Sequence, residues 1–122
     1  MNEEAELQMM NMQAQAIGEQ IERIDSGLLE LEYLKGSLDE LKSSKEGSEI
    51  FAPVSNGIFV KAKLSQNSKL IVNVGNNIVV EKTVDETKTL LDERIKEMTE
   101  MRDKMVEQMQ KIEERLIKIG EK

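Results

Sequence analysis

Apolar residues recur at every seventh position in the first third of the chain. Met10, Ile17, Ile24, Leu31 and Leu38 form one row, and Leu7, Ala14, Ile21 and Leu28 form a second. The rows alternate at spacings of three and four residues, which is typical of a helix that packs along a coiled-coil seam. Lys35 interrupts the second row beside the apolar Leu34, so a shift of the seam is expected there.

The seven-residue spacing returns near the end of the chain. One row contains Val84, Leu91, Met98, Met105, Ile112 and Ile119, and a second row contains Ile95, Met109 and Leu116, with Arg102 as an interruption. The stretch Thr83-Val84-Asp85-Glu86 has the pattern of a capping box, which predicts that a helix begins there. Asn2 is a candidate cap for the first helix, and the stretch SSKEGS at 43–48 ends that helix.

Two seams of similar length, joined by a short middle segment, predict an antiparallel pair of helices within one chain. In this pairing Ile17, Ile24, Leu31 and Leu38 meet Ile112, Met105, Met98 and Leu91 respectively, and Met10 meets Ile119. These residues are the predicted coil seam. The alternative is that each helix pairs with another chain, and the sequence leaves both possibilities open.

The middle segment contains four short runs that predict two β-hairpins. The runs are IFAPV, IFVKAKL, KLIVNV and NIVVEK, and the turn signals between them are Asn56-Gly57 and Gly75-Asn76-Asn77. Pro53 indicates an edge strand or a bulge in the first run. The chain is therefore expected to be α+β but mostly α, as one domain 1–122 with a coil helix at 1–46, hairpins at 47–82 and a second coil helix at 83–122.

Composition excludes several classes of function. Charged residues make up 34% of the chain and its formal net charge is −7, without a basic stripe, so neither nucleic acid nor a membrane surface is an expected partner. The chain has no Cys and no His, and its carboxylates are scattered along helices, so we expect no catalytic site, no metal site and no cofactor. No signal peptide or membrane span is predicted, which favours a cytoplasmic location.

The hairpins lack a partner within the chain, because most apolar residues of the helices are used in the coil seam. Two hairpins with one apolar face are marginal alone in water, and their free edges need covering. The middle segment is therefore interpreted as an assembly module. Alternation along the strands selects the interface residues Ile58, Val60, Leu64, Leu70, Val72, Val74, Ile78 and Val80.

The stretches APVSNGIFVKAKL and KLIVNVGNNIVVEKT resemble the paired hairpins of the prefoldin alpha subunit family, in its archaeal form. Ser55 and Asn77 stand where members of that family usually have glycine. The resemblance implies a hexamer of two alpha and four beta subunits in which the strands form a platform of β-barrels. It further implies an ATP-independent holdase that captures unfolded proteins at the tips of its coils and delivers them to a group II chaperonin.

The free ends of the two helices carry the candidate client-binding residues. Leu7, Met9, Met10 and Met12 lie near the start of the first helix, and Leu116, Ile117 and Ile119 lie opposite in the antiparallel pairing. Methionine is flexible and polarizable, which suits a surface that accepts many shapes. Leu7 and Met10 also fit the seam, where they would serve only to pair the helices.

Two other classes of function fit parts of the pattern. A structural subunit could assemble through its hairpins into a homo-oligomer or filament. A coiled-coil adaptor for one defined partner would leave the hairpins without a purpose, and an enzyme would lack the residues it needs. The native mass of the protein, alone and with a beta-type partner, separates the first class from the hexamer.

Overall fold

The computed structural model describes residues 2–120, so positions 1, 121 and 122 of the predicted coil segments lie outside the described residues. The elements are α1 (Glu3–Ser43), β1 (Glu49–Ser55), β2 (Ile58–Lys63), β3 (Leu70–Gly75), β4 (Ile78–Lys82) and α2 (Val84–Gly120). Contacts divide the chain into two compact units, one containing residues 2–31 and 93–120 and the other containing residues 32–92.

The first unit is a pair of antiparallel helical segments. Arg102 of α2 binds Asp25 of α1, and nearer the chain termini Arg115 binds Glu6. The seam residues of this unit are buried or half-buried, as a coil with a single seam requires, and they include Ile17, Ile24, Leu31, Met98, Met105 and Ile112. The terminal methyl group of Met98 extends over Gly27, one helical turn before Leu31, which the sequence pattern had put opposite it.

In the second unit the end of α1 pairs with the start of α2. Leu38 and Leu91 are both buried, and the ion pairs Lys35–Asp92 and Asp39–Lys88 join the two helices on either side of them. Lys35 is half-buried while its neighbour Leu34 is exposed, so the expected shift of the seam does not occur. Lys35 holds the seam position because its ammonium group lies 2.5 Å from a carboxylate oxygen of Asp92, and this hydrogen bond raises the pKa of Lys35.

The two hairpins form separate two-stranded antiparallel sheets, β1–β2 and β3–β4. Asn56 and Gly57 both have positive φ, as do Asn76 and Asn77, which is the backbone of the tight turns that suit the twist of paired strands. The register shifts between Pro53 and Ser55, so the predicted bulge is present in β1. The predicted hairpins are confirmed, whereas their closure into barrels on oligomerisation stays a prediction.

Side chains cap both helices where they join the hairpins. The Glu86 carboxylate accepts a hydrogen bond from the Thr83 backbone N–H at 2.9 Å, and the Glu86 N–H donates to the Thr83 hydroxyl at 3.1 Å. The predicted capping box is therefore formed. At the end of α1, the side-chain amide of Asn67 donates to the carbonyl oxygens of Leu41, Lys42 and Ser44. Asn67 thereby connects the segment between the hairpins to the carbonyl end of the first helix, where helices leave acceptors unsatisfied.

Candidate functional site

The apolar strand residues selected by alternation do share a face in each hairpin. Val72 lies directly opposite Val80, and Val60 lies directly opposite Ala52. Ile58, Val60, Val74, Ile78 and Val80 are exposed, while Leu70 and Val72 are half-buried. An exposed apolar face on a two-stranded sheet is unstable in water unless something covers it, so these residues form a candidate interface.

Leu64 differs from the other predicted interface residues. It follows the last residue of β2 and is only 9% exposed. Its N–H donates to the carbonyl of Ser48 and its carbonyl accepts from the N–H of Gly47, so it closes the base of the first hairpin. The Leu64 side chain is therefore already buried within its own chain and is not available as an exposed interface residue.

The opposite faces of the hairpins also carry exposed apolar side chains, which the sequence pattern missed. Phe51 and Phe59 lie on that face of the first hairpin, and Ile71 and Val79 lie on that face of the second. Phe51 is 69% exposed and Ile71 is 77% exposed. The signal was the consecutive apolar runs 58–60 and 78–80, because uninterrupted apolar residues are typical of strands that are covered on both faces.

At the other candidate site, the ends of α1 and α2, the structure separates the predicted residues into two groups. Met10 is 8% exposed and Ile119 is equally buried, while Leu7 and Leu116 are half-buried. These four side chains are covered to the extent expected of seam residues. Met9, Met12 and Ile117 point away from the seam and are exposed, with Met12 exposed by 72%.

The two exposed methionines share a shallow open hollow on α1. Its lining residues are Ala5, Gln8, Met9, Met12, Gln13 and Ala16, and its volume is about 470 Å³. Ile117 is not among the residues that line it. The Glu6 carboxylate accepts two hydrogen bonds from the Arg115 guanidinium, at 2.8 and 3.1 Å, which joins the two helices at this end of the coil.

The carboxylates whose pKa values are shifted take part in a helix cap and in an ion pair between the helices. Within residues 2–120, no three carboxylates come together in a way that could hold a metal ion. The pKa of Glu86 is lowered by its capping hydrogen bonds with Thr83, and the pKa of Asp39 by its hydrogen bond with Lys88. Both carboxylates therefore serve the helices. No helix in the described part of the chain is long and apolar enough to cross a membrane.

The family model and the related proteins that match this chain all indicate the same family. The model of the family described as "Prefoldin subunit" matches residues 10–122. Prefoldin subunit alpha of Methanococcus maripaludis is 33% identical over 108 residues, which cover 84% of this chain and 73% of that protein. Prefoldin subunit alpha of Thermofilum pendens is 35% identical over 81 residues, which cover 66% of this chain but only 57% of that protein.

A solved structure has the same fold. The cryo-EM structure of filamentous PFD from Methanocaldococcus jannaschii superposes with a TM-score of 0.85, over 95% of this chain and 97% of that one. The sequence identity of the pair is 23%, so this likeness concerns the fold. It supports the arrangement of two long helices with two small hairpins between them.

Proposed function

The chain belongs to the prefoldin family, with archaeal alpha subunits among its relatives, and on that premise we propose that it is a chaperone subunit that binds unfolded proteins at the end of its coil. The observation that carries the proposal is the exposure of Met9 and Met12 on α1. Met9 and Met12 lie outside the seam and line one open hollow near the start of α1, where pairing with α2 does not require apolar side chains. Flexible, polarizable methionines suit a surface that accepts many sequences.

Binding at one such site is weak, because each coil offers a small apolar patch. When several coils act on one client, a client bound to one coil meets the other coils at a high effective concentration. The client therefore stays bound longer. No nucleotide is required in this mechanism, and the sequence contains no phosphate-binding loop of the G-x-x-x-x-G-K type. We therefore propose an ATP-independent holdase that delays aggregation, and the resemblance to the prefoldin family implies that it delivers clients to a group II chaperonin.

Assembly supplies the several coils. We place the interface on the hairpins, whose exposed apolar faces and open edges need a partner. Phe51, Phe59, Ile71 and Val79 add to the predicted strand residues, because apolar groups on both faces favour an assembly that covers both. The partners are beta-type subunits in a hexamer of two alpha and four beta chains with a barrel platform.

Loss of the exposed methionines tests the site. In the assembled complex, Met9→Ser with Met12→Ser should weaken protection of urea-unfolded rhodanese against aggregation, while helix content and native mass stay unchanged. Leu29→Ser is the matched control, because Leu29 is an exposed apolar residue of α1 away from the coil end. Deletion of residues 1–13 together with 112–122 should abolish protection and leave assembly intact. Full protection by the truncated complex would move the client surface elsewhere.

A second candidate is a structural subunit that assembles with itself into a filament. We include it because the filamentous PFD of M. jannaschii has the same fold. Native mass spectrometry separates the two candidates: the isolated chain should stay small and reach one defined mass with a beta-type subunit. Growth of the isolated chain into a series of increasing masses would support the filament.

A further inference from the structure

The hollow that contains Met9 and Met12 continues into a second hollow between the two helices. The second hollow also has a volume of about 470 Å³ and is lined by Gln13, Ala16, Ile17, Gln20, Gln108, Lys111 and Ile112. Gln13 and Ala16 line both hollows, so the two form one continuous surface. We call this surface the glutamine strip, after Gln8, Gln13, Gln20 and Gln108.

The glutamine strip is almost free of charge. Lys111 is the one charged residue among the eleven that line it, although 34% of the chain is charged. A neighbouring hollow on α1 shows the ordinary surface of this coil: four of its six lining residues, Glu19, Glu22, Arg23 and Glu30, are charged. The low charge therefore belongs to the strip and is not a general property of the helix surface.

The amide groups of the strip are available for binding. Within residues 2–120, the side chains of Gln13, Gln20 and Gln108 make no hydrogen bond, and all three are exposed. Each primary amide has two N–H donors and a carbonyl acceptor. This combination matches the backbone of an extended polypeptide, whose N–H and C=O groups are unpaired when a protein is unfolded and paired when it is folded.

We propose that the glutamine strip binds extended, uncharged segments of unfolded proteins through hydrogen bonds to their backbone, with Met9, Met12, Ile17 and Ile112 contacting their apolar side chains. This inference rests on the proposed chaperone function and specifies its client class. Apolar contact alone does not distinguish an unfolded segment from an exposed apolar patch of a folded protein. Backbone hydrogen bonding does, because nearly all backbone N–H and C=O groups inside a folded protein are already paired with each other.

The size of the strip agrees with a short peptide segment. From Ala5 to Gln20 it runs along α1 for about 22 Å, at a rise of about 1.5 Å per residue. An extended chain covers this distance with about seven residues, at about 3.3 Å each. The ammonium group of Lys111 borders the strip, so segments rich in Lys or Arg are expected to bind less well than neutral ones.

The first test is site-specific photocrosslinking in the assembled complex. A photoreactive benzoylphenylalanine at position 108 should crosslink to urea-unfolded rhodanese, while the same group at position 110 should not, because Gln110 is an exposed glutamine that does not line the strip. Equal crosslinking at the two positions would overturn the proposal that clients bind to the glutamine strip. Protection of the client by the unmodified complex, measured in parallel, reports on the proposed chaperone function separately.

The second test changes the amides with little change in shape. Gln13→Glu with Gln108→Glu removes their N–H donors and adds two charges. Gln15→Glu with Gln110→Glu adds the same charge at exposed positions off the strip. The strip variant should bind a neutral ten-residue peptide of Leu, Ala and Ser at least about tenfold more weakly than the control variant, which corresponds to the loss of two hydrogen bonds. Equal affinities would overturn the proposal.

The same peptide with N-methylated backbone amides separates the two kinds of contact. It keeps its apolar side chains and loses its N–H donors. Weaker binding of the methylated peptide to the unmodified complex supports backbone recognition. Undiminished binding overturns it, and the client site is then an apolar patch only.

Discussion

Arg102 of α2 forms a two-point ion pair with Asp25 of α1: its Nε atom lies 2.5 Å from one carboxylate oxygen and its Nη2 atom 3.4 Å from the other. Arg102 occupies a seam position where an apolar residue would otherwise stand, so the pair links the two helices in one register. Reversal of a single charge, as in Arg102→Asp, should lower the thermal unfolding temperature, because two carboxylates then face each other across the coil.

The exchanged pair Asp25→Arg with Arg102→Asp should recover most of this loss. The recovery should shrink at high salt, since both side chains are partly exposed and ions screen them. The register would be contradicted if the double variant were no more stable than expected from adding the effects of the two single changes.

Two glycines within α1 should respond differently to alanine. A Cβ atom at Gly36 would meet nothing within 4 Å, whereas one at Gly27 would lie 2.7 Å from the terminal methyl group of Met98. Gly36→Ala should raise the free energy of unfolding by about 1 kcal/mol, the difference in helix propensity, and the melting temperature by about 4 °C. Gly27→Ala should gain less, because Met98 must move. Equal gains at a single protein concentration would show that the flexible end of Met98 moves away from Gly27 at no measurable cost.

The capping box should make stability depend on pH in the acidic range. The backbone N–H and hydroxyl of Thr83 lower the pKa of Glu86 below its ordinary value of 4.5. The unfolded chain therefore takes up this proton at a higher pH than the folded chain. The stabilisation is fully present above about pH 4.5 and is lost as the pH falls through the lower pKa of the folded state.

Glu86→Gln should be less stable than the original protein at neutral pH, and the difference should close towards pH 3. Denaturant titrations at several pH values measure this convergence. Glu93→Gln is the control, since it removes an exposed carboxylate of α2 that makes no capping bond. A constant difference across the pH range would mean that the Glu86 charge does not contribute to the cap.

Asn67 should matter more for stability than its position between two hairpins suggests. Its amide group lies 2.6 Å from the Ser44 carbonyl and 3.1 Å from those of Leu41 and Lys42. Asn67→Ala should lower the free energy of unfolding by about 1–2 kcal/mol, and Asn67→Asp by more, because a carboxylate would face the negative end of the helix. Ser65→Ala, in the same loop, should have little effect. The measurement is urea denaturation followed by circular dichroism.

Charge on the strand face should disrupt the oligomer and leave the coil folded. Val72 and Val80 face each other across β3 and β4, so Val72→Asp with Val80→Asp adds two carboxylates to one apolar face. The native mass should fall to that of smaller species while helix content is retained. Ser65→Asp with Gln66→Glu adds the same two charges at exposed positions of the loop between the hairpins, outside both strand faces, and should not dissociate the oligomer. An unchanged mass in the double variant would exclude this face from the interface.

The glutamine strip shows why part of the candidate site could not be predicted. The exposed methionines could be predicted, since Met9 and Met12 fall outside the seven-residue rows. The contribution of Gln108 could not, because it depends on the register that brings this residue of α2 to the hollow lined by Gln13 of α1. Exposed glutamines are common on helix surfaces, so their type alone carries no signal.

The sequence by itself determined the elements of this protein: two helices with their seams, the capping box at Thr83 and Glu86, and two hairpins with turns at Asn56-Gly57 and Asn76-Asn77. Each of these depends on residues within a few positions of one another, which is the range over which helix and turn patterns act. Only the tertiary structure decided that Asn67 caps α1, that Lys35 and Arg102 remain in the seam as ion pairs, and that both faces of the hairpins carry exposed apolar groups. Ion pairing and burial join residues distant in sequence, and they depend on which side chains the fold brings within a few ångströms.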